Sequence, residues 1–422
     1  MNYFSVFKEK GLRKKIFFTL FMLFIFRLGA LIPVPGVDTS IVSQIVEGND
    51  LLSLYNMLVG GSFASLTLFA LGVGPYITAS IVIQLLSYDN IVPHFTDLSK
   101  SGEVGRKVLN KYTKALALFL ATIQAVGITF GLILNTLKEK TPLSITLVIL
   151  TLVAGSMFLL WIGDKITEKG IGNGTSLIIF FGIISRMPND VITIVKGLKN
   201  NSINPYVLAV VLFVSFLVII GVTFIQEGTR KVPLQYSTKV VGRKTYGGQE
   251  SHIPLKVNQS GVMPVIFASS LLALPQTIAI FANQETQDFV SKYLSQTGDY
   301  FWIYLLLEVM LIVLFSYFYT LLSFNTEEIA NNLKNSGGFI PGIRPGKPTQ
   351  DYLSKISSRL TLAGAIFLSI IVIIPSVISK FTSIYLTLTG TSILIVVGVA
   401  LEIGRQIESN LVVRNYSSIF KK

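Results

Sequence analysis

The run LSITLVILTLVAGSMFLLWI, Leu143 to Ile162, crosses twenty positions without a charge. At a rise of about 1.5 Å per residue, a helix of that length covers roughly 30 Å, the thickness of the hydrocarbon core of a bilayer. A membrane β-strand needs only about ten residues of alternating character, and this run does not alternate. Similar runs lie near residues 16–35, 69–87, 115–134, 176–195, 205–225, 262–282, 302–324, 360–379 and 383–403, so the sequence predicts ten transmembrane helices. Composition agrees: 51% of the 422 residues are hydrophobic, 14% are charged, and the mean hydropathy is +0.64. The basic start followed by Ile16 to Ile32 has the outline of a signal peptide. Its apolar stretch is too long and contains Arg27, so it is read as the first span.

Charge predicts the orientation. With the amino terminus inside and ten crossings, the inside segments are 1–15, 88–114, 163–175, 226–261, 325–359 and 404–422, and they hold 27 of the 35 Lys and Arg residues. The outside loops hold six, and Arg27 and Arg186 fall within or beside spans. This asymmetry places both termini in the cytoplasm. It also accounts for most of the net charge of +13, which would otherwise suggest a nucleic-acid partner. The cytoplasmic loops 226–261 and 325–359 are much longer than a helix–helix connection requires, which marks them as docking sites.

The chain divides into a tail (1–15), a first half (16–200), a second half (201–403) and a final tail (404–422). Five spans per half force an inverted relation between the halves, an arrangement that places a transport path at their interface. Gly72, Gly74 and Pro75 weaken the start of the second span, and Pro264 and Pro275 interrupt the seventh. The stretch Leu51 to Ser65 is moderately apolar but broken by Gly60 and Gly61, and it cannot cross alone. A short helix re-entering the membrane under cover of protein fits it, as does a loop packed on the outer face.

Catalytic and metal chemistry find no footing. There are no cysteines, and the two histidines, His94 and His252, lie in separate loops, so neither a metal nor another cofactor is expected. Spans lack histidine and paired carboxylates, and Gly170-Ile171-Gly172-Asn173-Gly174 has neither the strand nor the acidic follower of a dinucleotide fingerprint. The expectation is a transport protein and not an enzyme. An ion-coupled solute transporter with inverted repeats is the rival reading, although such carriers keep ionisable groups at mid-membrane and this chain offers mainly Arg27.

Five stretches together carry a resemblance over nearly the whole chain. They are Phe26-Arg27-Leu28-Gly29 with Ile32-Pro33-Val34-Pro35-Gly36; Phe69-Ala70-Leu71-Gly72 with Pro75-Tyr76-Ile77-Thr78-Ala79-Ser80; Gly170 to Gly174; Pro254-Leu255-Lys256-Val257-Asn258 running to Phe267-Ala268-Ser269-Ser270; and Gly337 to Gly346. In order and spacing they resemble the SecY family, the pore subunits of the bacterial protein translocase. The resemblance implies an all-α clamshell of two pseudo-symmetric halves around a central pore in the bacterial cell membrane. Such a channel passes unfolded preproteins across, or releases transmembrane segments sideways into lipid.

The resemblance also implies roles for particular residues. The plug, about 52–65, would contain Leu52, Met57, Gly60, Gly61 and Ser65. The pore ring would be Val73, Ile77, Thr175, Ile179, Ile266 and Ile395. Val73 and Ile77, like Thr175 and Ile179, are four apart and so share a helix face. Thr175 departs from the family's aliphatic pattern, which leaves either a more polar ring or a register in which Ile178 faces the pore. Thr78, Gln84, Gln124 and Asn258 would line the lateral gate between spans 2 and 3 and spans 7 and 8. Arg243, Lys244, Arg344 and Lys347 would meet the ribosome and the ATPase SecA. SecE and SecG would be membrane partners, and signal peptides with their preproteins the cargo.

Overall fold

The computed structural model describes residues 10–47, 56, 61–88, 91–131, 133–137, 140–200, 204–236, 239–241, 244–246, 250–279, 283–295, 298–382 and 390–419. In the first part of the chain the helices are α1 (Lys10–Gly29), α2 (Thr39–Glu47), α3 (Gly74–Leu86), α4 (Pro93–Lys100), α5 (Gly102–Gly131), α6 (Pro142–Lys169) and α7 (Gly174–Lys199). After them come α8 (Pro205–Glu227), strands β1 (Thr229–Tyr236), β2 (Lys239–Val241), β3 (Lys244–Tyr246) and β4 (Glu250–Lys256), then α9 (Met263–Ala279), α10 (Gln284–Tyr293) and α11 (Phe301–Ser323). The chain finishes with α12 (Thr326–Asn335), β5 (Gly338–Phe339), α13 (Lys347–Thr382) and α14 (Gly390–Ile419).

Seven of these helices are long and apolar enough to cross a membrane, and α3 and α9 are shorter apolar helices. The chain is a multi-pass membrane protein. Helix starts follow local chemistry: Pro142 and Pro205 occupy first-turn positions, and the side chains of Thr141, Asn173 and Asn204 accept hydrogen bonds from the N–H groups of Ser144, Thr175 and Tyr206.

Several expected boundaries move. The first span ends at Gly29 rather than 35, because Pro33 and Pro35 cannot continue a helix and Pro33 instead bridges to Thr67. The second span, expected from 69, is helical only from Gly74; Leu66 and Gly72 before it have φ of 40° and 58°, outside the helical region. Thirteen residues are too few to span alone. The tail expected from 404 continues α14 as helix to Ile419. Residues 280–282 and 383–389, inside two expected spans, lie outside the described residues.

Helix packing repeats between the halves. In the first, α3 packs on α5, α5 on α6, α6 on α7, and α1 on both α6 and α7. In the second, α9 packs on α11, α11 on α13, α13 on α14, and α8 on both α13 and α14. Each pairing in one half has its counterpart in the other, the repetition of packing that two related halves would show. The halves meet where α3 packs on α9 and α7 on α14.

The two long loops are not separate. β1 pairs antiparallel with β4 from Thr229 opposite Lys256 to Gln235 opposite Glu250, and its other edge takes Gly338 and Phe339 of β5. Val232, Leu234 and Leu255 pack there against Leu333, Ile340, Leu353 and Ile356, so both loops share one apolar core. Directly after them, α13 runs for 36 residues from this domain through the membrane region.

Candidate functional site: a cavity between the halves

Where α3, α5, α7, α9 and α14 converge they enclose a cavity of about 100 Å³. Val73, the residue capping α3, and Ile77 one turn later face it, together with Ile179 from α7, Ile266 from α9 and Ile395 from α14. Pro75 explains the placement of Val73: a helix that starts with proline in its first turn fixes its own origin, here at the depth of the cavity. Val73, Ile266 and Ile395 are at most 9% exposed. Aliphatic walls of this kind give water no hydrogen-bond partner, so a constriction of such side chains excludes hydrated ions.

Thr175 is not among the lining residues. It lies in the first turn of α7, where Asn173 Oδ1 accepts from its N–H, and the helix there passes so close to α6 that a side chain on Gly174 would strike Gly163. Ile178, 3% exposed, does not line the cavity either, although it belongs to the same apolar core as Val73, Ile266 and Ile395. From α7, only Ile179 reaches the cavity.

The expected gate residues fall in three places. Thr78 and Gln124 line the cavity, beside Ser269 and Ser270. The Thr78 hydroxyl donates to the Gly74 carbonyl at 3.2 Å, and Gln124 Oε1 is buried without a partner. Gln84 donates to Ser80 Oγ at 2.9 Å and lines a different groove with Tyr76, Arg106 and Tyr319. Asn258, 6% exposed, is satisfied in its own turn: it donates to the Gly261 carbonyl and accepts from Ser260 Oγ.

Of the plug residues, Leu52, Met57 and Gly60 lie outside the described residues, while Gly61 has φ of 88° and Ser65 is exposed. The carbonyl of Asn56 accepts from the Gly61 N–H at 2.9 Å and from Arg186 Nη1 at 3.1 Å. The sequence marked Arg186 only as a charge at a span edge; nothing in it pointed to a partner 130 residues away. Beyond Gly61 the chain is fixed firmly. Val34 donates to the Leu66 carbonyl and Leu68 to the Ile32 carbonyl, both at 2.9 Å. Phe69 stacks between Phe26 and Phe158 at 5.8 and 6.2 Å.

On the loop domain, Arg344 is exposed in a turn between Gly342 and Gly346, whose φ values of 81° and 99° only glycine adopts readily. Thr349 Oγ1 pins the Arg344 carbonyl at 2.9 Å, and exposed Lys347 opens α13. Lys244 begins β3, and Arg243 is outside the described residues. At the end of β4, burial and then the Arg405 guanidinium hold the Lys256 pKa below the usual lysine range, with Glu402 opposing them.

Comparison with known proteins follows the same outline. The SecY family model matches residues 67–404. The protein translocase subunit SecY of Aquifex aeolicus is 42% identical over 428 residues, covering 99% of both chains. Among solved structures, one of a SecY protein described by its plug domain, which stabilises the closed state of the translocation channel and maintains a membrane seal, superposes with a TM-score of 0.69 at 19% identity. It covers 95% of this chain and 93% of its own. Sec61 in the canine ribosome–channel complex gives a TM-score of 0.65 at 17% identity with the same coverage. By a family match across most of its length and a relative of this identity end to end, the chain belongs to the SecY family.

Proposed function

We propose that the chain is the channel-forming subunit of a protein translocase in a bacterial cell membrane, with both termini cytoplasmic. It conducts unfolded preproteins through the space between its halves and releases transmembrane segments into lipid. The observation that carries this reading is the convergence of Val73, Ile77, Ile179, Ile266 and Ile395, from four helices of both halves, on one cavity. Such a ring seals against ions and yet offers a passing chain no fixed partner. Thr175 is left out of it. The ion-coupled carrier is disfavoured because none of the residues lining this cavity is ionisable.

Residues 52–65 act as the plug, in keeping with the role named for the plug domain of the SecY relative. Thr78 and Gln124 contribute polar contacts at the lateral gate, where such groups average only about 0.6 kcal/mol between membrane helices. Gln84 and Asn258, the other two residues expected at the gate, do not line this cavity. Arg344 and Lys347 meet the ribosome, as the ribosome-bound Sec61 relative suggests, and the ATPase SecA, while SecE and SecG accompany the chain in the membrane. The test is a stalled preprotein with photoreactive groups at Ile77 or Ile266. Crosslinks to the cargo are expected, and their absence from a complex that has demonstrably stalled overturns the assignment.

A further inference from the structure

Arg27 of α1 and Arg186 of α7 lie in helices of the membrane region, and the channel reading above gives neither a role. A guanidinium in such a helix is costly unless it is paired. The partners of these two adjoin. Arg27 Nη1 donates to Ser185 Oγ at 3.3 Å, which ties α1 to the turn of α7 that carries Arg186. Arg186 Nη1 donates to the Asn56 carbonyl at 3.1 Å. Arg186 follows Ile179 by seven residues, two helical turns or about 10 Å, so the two share a face of α7. Ile179 lines the cavity and Arg186 does not. The guanidinium therefore stands just beyond the aliphatic ring, toward the end of α7.

Asn56 is a hub. Its carbonyl also accepts from the Gly61 N–H at 2.9 Å, and its Oδ1 accepts from the Ala64 N–H at 2.9 Å. Gly61 passes close to the arginine stem: a Cβ on it would lie 3.5 Å from Arg186 Cδ and Nε. The foot of this segment is fixed, since Phe63 is fully buried and Thr67 N–H donates to the Ser62 carbonyl at 3.0 Å. The grip on Asn56 thus comes partly from its own segment and partly from α7. A bond from an ionised donor is stronger than a neutral one, but a single bond can still be broken. When it breaks, the Asn56 carbonyl keeps the Gly61 N–H, so release orphans no acceptor.

We propose that Arg186 is the latch of the plug. Its guanidinium holds Asn56 against α7 in the resting channel, Arg27 braces the helix that carries it, and the bond parts when cargo enters. This rests on the reading of residues 52–65 as the plug.

The readout is the resting ion leak of the channel complex in planar bilayers. Arg186→Met keeps an unbranched stem and removes the donors. Leak should rise roughly tenfold or more, the equilibrium factor of one hydrogen bond from a charged group, and Arg186→Lys should fall between Met and the parent. In a chain lacking residues 52–60 the leak should already be high, and Arg186→Met should add nothing. An equal rise in both backgrounds overturns the latch, as does a parent-like Met variant alongside a leaking deletion. If the deletion itself does not leak, the plug reading falls and the latch with it. A second measurement does not depend on the deletion folding. The chain contains no cysteine, so Asn56→Cys with Arg186→Cys can be bridged by a short bifunctional thiosulfonate without background. The unbridged pair should leak, bridging should restore the seal and block transport, and reductant should reverse both. An unbridged pair that seals like the parent, or a bridged one that still leaks, refutes the proposal.

Discussion

Gly155→Ala adds a single carbon, and the structure predicts a large effect for it. Gly155 is on α6 where the chain leading into α3 crosses it, and an added Cβ would sit 2.8 Å from the Leu68 carbonyl carbon and overlap its oxygen. Non-bonded carbons rest at about 3.5–4.0 Å, so the Leu68 peptide must retreat by roughly 1 Å. The adjoining peptide unit carries the Leu68 N–H that donates to the Ile32 carbonyl at 2.9 Å, and a shift of that size next to it weakens this bond. One bond at about 1 kcal/mol, with about 1–3 kcal/mol of overpacking, gives a loss of roughly 2–4 kcal/mol. Because Phe69 and Val73 follow on the same segment, the cavity wall should shift as well. The assay is the temperature at which the detergent-solubilised protein leaves its monodisperse peak after heating, with ion leak in planar bilayers as the second reading. A variant with the parent's transition temperature would show that this crossing is not tightly packed.

Three further outcomes follow from other parts of the molecule. Thr175→Ile should leave ion leak unchanged in single-channel recordings, since the side chain does not line the cavity; reduced leak would return Thr175 to the ring. Arg344→Glu should abolish SecA-driven transport in vesicles while leaving thermal stability near the parent's, because the side chain is exposed and only its carbonyl is bonded. Lys256 has a folded pKa below its unfolded one, so in the alkaline window between them the unfolded chain binds more protons and stability rises with pH. Below that window both states are protonated and the penalty is constant; Lys256→Met should flatten the rise, seen as melting temperatures that no longer climb between neutral and alkaline buffer.

The helices were legible because lipid-facing and core positions are both apolar, so a spanning segment needs no periodicity to be seen. The weakened helix start at Pro75 was legible for an elementary reason, a missing N–H and a fixed φ, whereas the break at Pro33 was read through, the first span having been expected to run to 35. The loop sheet was harder. Val232 and Leu234 alternate visibly in β1, but a two-residue strand such as β5 has no signature, and its pairing with a segment a hundred positions earlier is set by the shared core around Leu333 and Leu353. The aliphatic residues of the cavity were named through resemblance, since nothing in an isoleucine's neighbours says whether it faces lipid, protein or a void. Thr175 shows the limit of spacing arguments. It shares a helix face with Ile179, but the capped first turn of α7 sits beside α6, one turn away from the cavity wall.

The long helix α13 has a mechanical consequence. It starts three residues after Arg344, braced by the sheet domain through Leu353 and Ile356, and continues for 36 residues, about 54 Å. A load applied at the exposed turn would not be dissipated in a flexible tether. It enters a stiff rod that packs against α11 and α14. Thrust at one end of the helix can thus arrive at the other as displacement, with Pro375 as the position inside the rod where a proline interrupts the hydrogen-bond ladder and lets it flex.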